Sequence, residues 1–299
     1  MIVIILIAFT LVAFAANSLL CRMALGGHLI DPVSFTTLRL VSGALALIPI
    51  SRLVSESKTP QKTKGSWGSG FALFAYAAAF SLAYVSLSTG MGALILFGTV
   101  QVTMIGAALK SGEKLGPAQW VGSTTALGGL IYLVLPGISA PDPLGVLLMC
   151  VSGIAWGVYS IRGKGVSAPV VMTAGNFTRS APMAIIASAV ALSAVHLEPF
   201  GILLALISGI VTSGLGYVLW YKTLRSLTTT QASVVQLMVP VLAAFGGVAF
   251  LSEQVSVRLI AASALITGGV ALAVIKRKPK AGPKYGVNLT TEPDRPTMD

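Results

Sequence analysis

The chain has 299 residues, of which 55% are hydrophobic and 10% are charged, and its mean hydropathy is +0.87. A soluble globular domain carries about 25% charged residues, so this composition excludes that class and indicates a membrane protein. The formal net charge is +11, but the basic side chains are spread over separate loops and do not form one basic segment. We therefore predict no nucleic-acid partner.

Ten apolar runs follow one another along the chain, separated by short polar segments. A helix of about 20 apolar residues crosses the hydrocarbon core of a bilayer. We predict an all-α polytopic membrane protein with ten transmembrane helices, followed by a disordered tail at 278–299 that is rich in Pro, Lys and Thr. The predicted helices cover residues 3–24, 32–51, 68–88, 91–109, 118–136, 143–162, 169–194, 199–221, 230–250 and 256–275.

The basic side chains lie mainly in every second loop and in the tail. The loops on the opposite side of the membrane contain only two basic residues, Arg22 and Arg258. Because Lys- and Arg-rich loops stay on the cytoplasmic side, this asymmetry predicts that both termini are cytoplasmic. The basic loop residues on that side are Arg52, Lys58, Lys62, Lys64, Lys110, Lys114, Arg162, Lys164, Lys222 and Arg225.

An internal repeat relates the two halves of the chain. The two units are residues 1–137 and 143–277, and a shift of 140 positions aligns residue 3 with residue 143 and five predicted helices with five. Since five is odd, the second half enters the membrane from the opposite side, which predicts an inverted-topology repeat with a substrate site near the midplane. The aligned pairs include Arg22 with Arg162, Arg39 with Arg179, Glu113 with Glu253, Gly106 with Gly246, and Gly128-Gly129 with Gly268-Gly269.

Small residues spaced four apart occur in the last predicted helix of each repeat. These are Thr124 and Gly128 in the first repeat, and Ala264 and Gly268 in the second. Small side chains let two helix backbones approach closely in a membrane. We therefore expect the two helices to pack against each other through these positions.

Three sequence motifs carry a family resemblance over residues 3–276. They are "IAWGVYSIRGKG", "LMVPVLAAFGGVAFLSEQVS", and an element with Glu and Gly-Gly that occurs as "SGEKLGPAQWVGSTTALGGLIYL" and again in the second half. The chain resembles the drug/metabolite transporter superfamily, within it the ten-helix exporters with two EamA-type domains, and by its aromatic interior the YddG-type exporters. The resemblance implies a bacterial inner-membrane exporter of aromatic and other hydrophobic amino acids, or else of organic-cation drugs.

One position departs from the pattern of the family. Pro240 lies where the second repeat is expected to have a proline, whereas the first repeat has Val100. Proline removes a backbone N–H group and kinks a helix. We therefore expect a kink in the run 230–250 and none in the run 91–109.

Two arginines lie inside otherwise uncharged runs. Arg39 is about 10 Å along its predicted helix and Arg179 about 15 Å along its own, and no acidic residue lies deep in any run. An arginine at such depth costs at least ~2.5–3.5 kcal/mol, so both should face the bundle interior or a wet cavity, or snorkel. Each is either a contact for a substrate carboxylate or a scaffold group bound to backbone carbonyls or lipid headgroups.

Aromatic and amide side chains recur at spacings of three and four, which place them on one side of a helix. Such residues either line a mostly apolar cavity or pack against neighbouring helices. Trp67, Trp120, Trp220 and Tyr221 lie near the ends of runs, where a belt at the membrane interface is the expected role. With the two arginines, the candidate substrate-binding residues are Asn17, Arg39, Tyr76, Tyr84, Phe97, Gln101, Trp156, Tyr159, Asn176, Arg179, Tyr217 and Gln236.

Other functions lack their characteristic residues. The chain has no nucleotide-binding loop for a primary pump, no carboxylate inside a run for a proton relay, and no lysine inside a run for a sugar-phosphate carrier. An ion channel or membrane-embedded enzyme is disfavoured because no charged ring or catalytic cluster is present. We predict no enzyme activity, cofactor or metal; the expected partners are a small-molecule substrate and the lipid bilayer, and both a monomer and a homodimer stay possible.

Overall fold

A computed structural model of the chain describes residues 2–54, 65–134, 142–251 and 257–274. Of these residues 87% are helical and none belongs to a strand, which confirms the all-α prediction. A 3₁₀ turn at Leu192–Ala194 precedes the helix at Pro199–Ile207. A π-helical segment at Ser208–Leu215 joins that helix to the next one, Gly216–Leu224, without a break. The α-helices are α1 Ile2–Gly26, α2 Pro32–Val54, α3 Trp67–Ser86, α4 Thr89–Lys110, α5 Pro117–Val134, α6 Pro143–Gly163, α7 Pro169–Val190, α8 Pro199–Ile207, α9 Gly216–Leu224, α10 Thr229–Val235, α11 Met238–Leu251 and α12 Val257–Val274.

Seven helical stretches among the described residues are long and apolar enough to cross a membrane. They are α1, α2, α3, α4, α6, the continuous segment Pro199–Leu224, and Thr229–Phe250. The chain is therefore a multi-pass membrane protein. Helix also covers the other three predicted runs as α5, α7 and α12, and the count of ten spans stays a prediction. The predicted tail at 278–299 and the boundary between the predicted repeats at 138–142 lie outside the described residues, except for Asp142.

The local sequence explains where several helices begin and end. Five helices (α2, α5, α6, α7 and α8) begin at a proline, whose fixed φ and missing N–H group suit the first helical position. Asp142 caps α6, where its carboxylate accepts hydrogen bonds from the backbone N–H groups of Gly145 (2.8 Å) and Leu144 (3.4 Å). Gly112 follows α4 in a left-handed conformation (φ +81°) that glycine adopts without strain.

Helices α5 and α12 pack closely, as predicted, but through other residues. A Cβ atom on Gly122 would lie 2.5 Å from the carbonyl oxygen of Gly269, so the two backbones are in direct contact. Gly128 and Gly268 have open space around them, and Thr124 and Ala264 are exposed. The predicted faces were therefore wrong. Helix positions differ by about 100° per residue, so an error of one or two positions turns a small residue away from its neighbour.

Pro240 interrupts one span, as the sequence predicted. Its missing N–H group leaves the carbonyl oxygen of Gln236 without its helical donor. The helix breaks at Gln236 and Leu237, between α10 and α11, and the N–H group of Val239 donates to the Gln236 oxygen instead (2.9 Å). Helix α4, which has Val100 at the equivalent position, is continuous. The expectation of a single kink is confirmed.

Candidate functional site

The π-helical segment between α8 and α9 gathers hydroxyl groups around one amide. Asn17 on α1 is buried, and its Oδ1 atom accepts hydrogen bonds from Ser208 Oγ (2.7 Å), Thr212 Oγ1 (3.0 Å) and Ser213 Oγ (3.4 Å). In a π-helix the backbone bonds run from i to i+5, so residues four and five apart lie on one side. This wider turn brings all three hydroxyls to Asn17.

Arg39 on α2 lies fully buried beside this cluster. Its Nε atom donates to Ser213 Oγ (2.8 Å), and its Nη2 atom donates to Tyr217 Oη (2.5 Å) and to Tyr76 Oη (3.1 Å). The guanidinium carbon also lies 5.2 Å from the centre of the Tyr76 ring and 5.4 Å from that of Phe80. Within the described residues, the Nη1 atom has no hydrogen-bond partner.

The positive charge of Arg39 has no carboxylate partner in the described part of the chain. The acidic residues there are Asp31, Glu113, Asp142 and Glu198, and each lies in a loop or at a helix end. Burying an ion costs several kcal/mol unless an opposite charge and good hydrogen bonds offset the lost hydration. Three neutral hydroxyls offset only part of that cost, so Arg39 is a buried charge that no opposite charge compensates within the described residues.

Four aromatic rings pack against one another next to this arginine. We call Phe14, Tyr76, Trp156 and Tyr217 the aromatic cage. The Trp156 ring centre lies 4.7 Å from that of Tyr217, 4.9 Å from that of Tyr76 and 5.2 Å from that of Phe14. These separations are within the range of favourable ring contacts. Tyr76 and Tyr217 belong to both groups, since their rings meet Trp156 and their hydroxyls meet Arg39.

The break between α10 and α11 also contributes to the site. Trp156 Nε1 donates to Gln236 Oε1 (2.7 Å), and Gln236 Nε2 donates to the Ala232 carbonyl oxygen (3.0 Å). The aromatic cage is thus attached to a broken helix through Trp156, while Tyr217 lies two residues after the end of the π-helical segment. Discontinuous helices at membrane depth are characteristic of substrate sites in secondary transporters.

One end of the bundle is closed by contacts between the two halves of the chain. The backbone N–H group of Asp31 donates to the His196 carbonyl oxygen (3.0 Å), and that of Glu198 donates to the Leu29 oxygen (2.8 Å). The Asp31 carboxylate accepts from the His196 N–H group (3.1 Å). Burial raises the pKa of Asp31, but hydrogen bonds from Ser34, His196 and Val33 outweigh it, and the resulting pKa lies below the ordinary value.

The opposite end, which carries the basic loops, is also closed. The Glu113 carboxylate accepts from the backbone N–H groups of Thr229 and Thr230 (3.2 Å each), and Lys164 Nζ donates to Thr229 Oγ1 (2.6 Å). Burial raises the pKa of Glu113, but the hydroxyls of Thr230 and Thr228 and the two N–H groups lower it below the ordinary value. With both ends tied, Arg39, Tyr76, Trp156 and Tyr217 are at most 5% exposed.

Comparison with known proteins identifies the family. The model of the EamA-like transporter family matches residues 143–275. The uncharacterized protein PA1977 of Pseudomonas aeruginosa is 48% identical over 276 residues, which cover 92% of this chain and 96% of the relative. The chain belongs to the EamA-like transporter family. An uncharacterized transporter of Archaeoglobus fulgidus is 26% identical over 69% of this chain and 75% of its own length.

The fold is shared with a solved structure as well. The comparison with one crystal structure of a protein gives a TM-score of 0.69 and 22% sequence identity. The match covers 92% of this chain and 99% of the other. The family model and the relatives that are named as transporters confirm the predicted superfamily, and the chain is a multi-pass membrane transporter. The narrower YddG-like specificity stays a prediction.

The EamA-family transporter brings together about half of its predicted site residues. They contact one another through the aromatic cage, the hydroxyl groups that bind Arg39, and the amide of Asn17. The predicted residues in this group are Asn17, Arg39, Tyr76, Trp156, Tyr159, Tyr217 and Gln236. Tyr159 lies at its edge, with its ring stacked 5.0 Å from that of Tyr221 and 5.5 Å from that of Trp156.

Four predicted residues are buried elsewhere in the helix bundle. Gln101 Nε2 donates to the Ser123 carbonyl oxygen (3.3 Å) and joins α4 to α5. Asn176 Oδ1 accepts from the Ser66 N–H group (3.1 Å), and its Nδ2 donates to Tyr221 Oη (3.3 Å) near the basic end. Tyr84 donates to the Thr89 carbonyl oxygen (3.4 Å), and Phe97 packs in the hydrophobic core.

Arg179 also lies away from the cluster. Its side chain is half-buried on α7, where Nη1 donates to the Gly175 carbonyl oxygen of the same helix (2.9 Å). The guanidinium carbon lies 5.9 Å from the centre of the exposed Trp67 ring. These contacts are those of a snorkelling side chain that binds a backbone carbonyl.

The structure adds residues that the sequence did not single out as binding candidates, and it corrects two. Phe14, Ser208 and Thr212 belong to the central cluster. Trp220 and Tyr221 were expected at the membrane interface, but both are fully buried, and Trp220 Nε1 donates to Ser160 Oγ (2.9 Å). That prediction was wrong because α9 packs into the bundle up to its last turn. The exposure of Trp67 (62%) and Trp120 (46%) is consistent with their expected belt role.

Proposed function

We propose that this transporter exports aromatic and other hydrophobic amino acids across a bacterial inner membrane by alternating access. One observation carries the proposal: a buried polar cluster around Arg39 and Asn17 lies directly against the aromatic cage. An amino acid has the same two parts, a charged backbone group and an apolar side chain. Within this proposal the side chain occupies the cage, and the polar cluster holds the amino and carboxyl groups.

The inverted repeat is part of the proposal. Two five-helix units, residues 1–137 and 143–277, would be followed by a cytoplasmic tail at 278–299, with both termini in the cytoplasm. The family match at 143–275 coincides with the second unit and supports this division. Helices that the repeat makes equivalent, α5 with α12 and α2 with α7, pack on each other, as a two-fold axis in the membrane plane requires.

Alternating access follows from the contacts at the two ends. Each end is held by hydrogen bonds between segments of the two proposed repeats, through Asp31 at one end and Glu113 at the other. Breaking one set while keeping the other exposes the cage to one side of the membrane at a time. No carboxylate lies near the cluster in the described residues, so we propose transport down the substrate gradient without a proton relay.

A competing function is efflux of organic cations. It is favoured by the four aromatic rings, because an aromatic cage attracts a quaternary ammonium group through cation–π interactions. The two substrates place opposite demands on the neighbouring arginine, since a carboxylate is attracted to it and an organic cation is repelled.

Uptake by proteoliposomes containing the purified protein tests the proposal. Labelled tryptophan, leucine or methionine is added outside the liposomes, once without a pH gradient and once with one. Liposomes without protein measure leakage. We expect saturable uptake driven by the amino-acid gradient alone. Uptake that requires a pH gradient would contradict the uncoupled mechanism. Absence of amino-acid uptake together with uptake of a quaternary ammonium dye would establish the competing function.

A further inference from the structure

We infer that Arg39 is the receptor for a substrate carboxylate and therefore selects the class of substrate. This inference rests on the proposed function and specifies it: the central site requires a carboxylate next to an apolar group, and it rejects organic cations. The hydroxyls of Tyr76, Tyr217 and Ser213 now bind the guanidinium. A carboxylate replaces the two phenolic hydroxyls at its Nη atoms.

The hydrogen bonds of Arg39 are incomplete in a way that fits an anion. The Nη1 atom has no partner among the described residues, and Nη2 is shared between two phenols. A guanidinium offers its donors as a planar fork that matches the two oxygens of a carboxylate. Hydrogen bonds between two ionised groups are stronger than those to neutral hydroxyls. A carboxylate thus completes the set of bonds that the protein leaves open.

The two phenols can leave the guanidinium without becoming unsatisfied. Tyr217 Oη donates to Tyr76 Oη (3.2 Å), and Asn17 Nδ2 donates to the same Tyr76 oxygen (3.5 Å). Ser213 also donates to Asn17 Oδ1 (3.4 Å). Exchange of the Arg39 partners therefore leaves the remaining polar groups paired, which keeps its cost low.

Three other arginines, Arg22, Arg162 and Arg179, are placed differently. Arg22 Nη1 donates to the Tyr84 carbonyl oxygen at the end of α3 (3.1 Å), and Arg162 Nε donates to Ser69 Oγ near the other end (3.0 Å). Arg179 is half-buried and bound to Gly175 of its own helix. Arg39 alone among them is fully buried beside the aromatic cage.

Four probes with the same apolar group test the carboxylate requirement. Leucine has both charged groups, 4-methylpentanoate lacks the amine, isopentylamine lacks the carboxylate, and leucinamide has a neutral amide in its place. Their binding to the purified wild-type protein is measured as thermal stabilisation over a range of concentrations. We expect leucine and 4-methylpentanoate to bind about ten- to a hundredfold more tightly than leucinamide and isopentylamine.

Matched variants assign the requirement to one side chain. Arg39→Gln should abolish the preference for carboxylates, and Arg39→Lys should weaken leucine binding about tenfold, because an ammonium lacks the planar fork. Arg179→Lys, the same change at the equivalent repeat position, should leave binding unchanged. Circular dichroism and gel filtration establish that each variant is folded.

The inference is overturned if leucinamide or isopentylamine binds as tightly as leucine, if Arg39→Gln keeps the preference, or if none of the four probes stabilises the wild type. Other results distinguish failure of the proposed amino-acid export from failure of the proposed role of Arg39. Binding of 4-methylpentanoate through Arg39 without any amino-acid flux would retain the carboxylate site and reject amino-acid export. Flux of leucine and leucinamide at equal rates would retain export and reject the role of Arg39.

Discussion

Arg39 and Arg179 are paired by the proposed repeat but lie in different environments. Both interrupt an apolar run, and a shift of 140 positions superimposes them. Arg39 is fully buried and bound to three hydroxyls from α3, the π-helical segment and α9. Arg179 is half-buried and bonds to its own helix. Equivalence in a repeat fixes the position of a side chain along its helix, whereas its neighbours determine what it does.

The residues that the proposed repeat would pair with the Arg39 partners are of different types. The hydroxyl partners of Arg39 are Tyr76, Ser213 and Tyr217. The same shift pairs them with Gly216, Leu73 and Ala77, respectively, none of which has a hydroxyl group. Asn17, the centre of the cluster, is paired with Gly157. At the positions paired by this shift, Arg179 therefore lacks the hydroxyl groups that bind Arg39.

Replacing each arginine with methionine gives the largest expected difference. Arg39→Met should reduce amino-acid flux at least about a hundredfold, because the charge that binds the carboxylate is removed. Its thermal stability should be unchanged or raised, since methionine removes the desolvation cost of a buried charge, which is on the order of several kcal/mol. Arg179→Met should leave the flux within about twofold. Flux assays and thermal unfolding measure both variants.

A scaffold role for Arg39 predicts the reverse. If the arginine held α2 to α9 and had no substrate contact, Arg39→Met would lower the melting temperature, and any loss of flux would follow the loss of folded protein. Lower stability with normal flux per folded molecule would remove the distinction between the two arginines.

Gly209 offers a second test, because it sets how closely the π-helical segment approaches Arg39. A Cβ atom there would overlap the Arg39 carbonyl oxygen and Ser42 Oγ. Gly209→Ala should therefore destabilise the protein by about 1–3 kcal/mol and lower flux, since the backbone beneath Arg39 has to move. The repeat counterpart of Gly209 is Ser69, which already carries a side chain.

Gly128→Ala is the matched control for that substitution. Gly128 has open space around it, and alanine favours a helix over glycine by up to ~1 kcal/mol. Thermal unfolding should show a lower melting temperature for Gly209→Ala and an equal or higher one for Gly128→Ala. Equal melting temperatures would mean that the close approach at Gly209 does not constrain Arg39.

The helices themselves were predictable from sequence, and so were some residues of the site. Apolar runs and prolines locate helices because both act within one segment. Pro240 likewise predicted its own break. Tyr76, Trp156 and Tyr217 were candidates because aromatic residues at spacings of three and four lie on one side of a helix. For Arg39, depth within an uncharged run was sufficient to mark it.

Contacts between helices were not predictable in the same way. The α-helical spacing of four groups Ser208 with Thr212, but only the wider π-helical turn also brings Ser213, five residues after Ser208, to the same side. Trp220 lies near the end of a run, but neighbouring helices cover it. The sequence alone does not say which residues bind Arg39. The residues that the 140-position shift pairs with them could therefore be compared only after the structure had identified Tyr76, Ser213 and Tyr217.

Two buried tryptophans provide a smaller and more selective comparison. Trp156 Nε1 donates to Gln236 and Trp220 Nε1 donates to Ser160, but of the two only Trp156 belongs to the aromatic cage. Replacing either with phenylalanine removes one hydrogen bond and should cost about 1 kcal/mol of stability. The apparent KM for tryptophan should rise severalfold for Trp156→Phe only. Concentration-dependent uptake measures the KM, and a similar rise for Trp220→Phe would contradict the assignment of the cage.

The smallest expected effect concerns another duplicated charge, Glu113, whose counterpart Glu253 lies outside the described residues. The pKa of Glu113 is below the ordinary value, so its hydrogen bonds to the α10 N-terminus stabilise the folded protein when the carboxylate is ionised. This contribution should be complete above the ordinary glutamate range near pH 4.3 and disappear as the pH falls through the lower pKa of the folded state.

Thermal unfolding of the wild type and of Glu113→Gln at several pH values tests this dependence. Near pH 7 the variant should be less stable by at most about 1 kcal/mol, because the carboxylate is partly solvated. The difference should stay constant down to about pH 5 and shrink below that. Glu198→Gln, at an exposed carboxylate on the opposite end, is the control for general effects of charge. A difference that grows as the pH falls would mean that Glu113 binds α10 in its protonated form, and the basic end would then be held by a neutral contact instead of an ionised one.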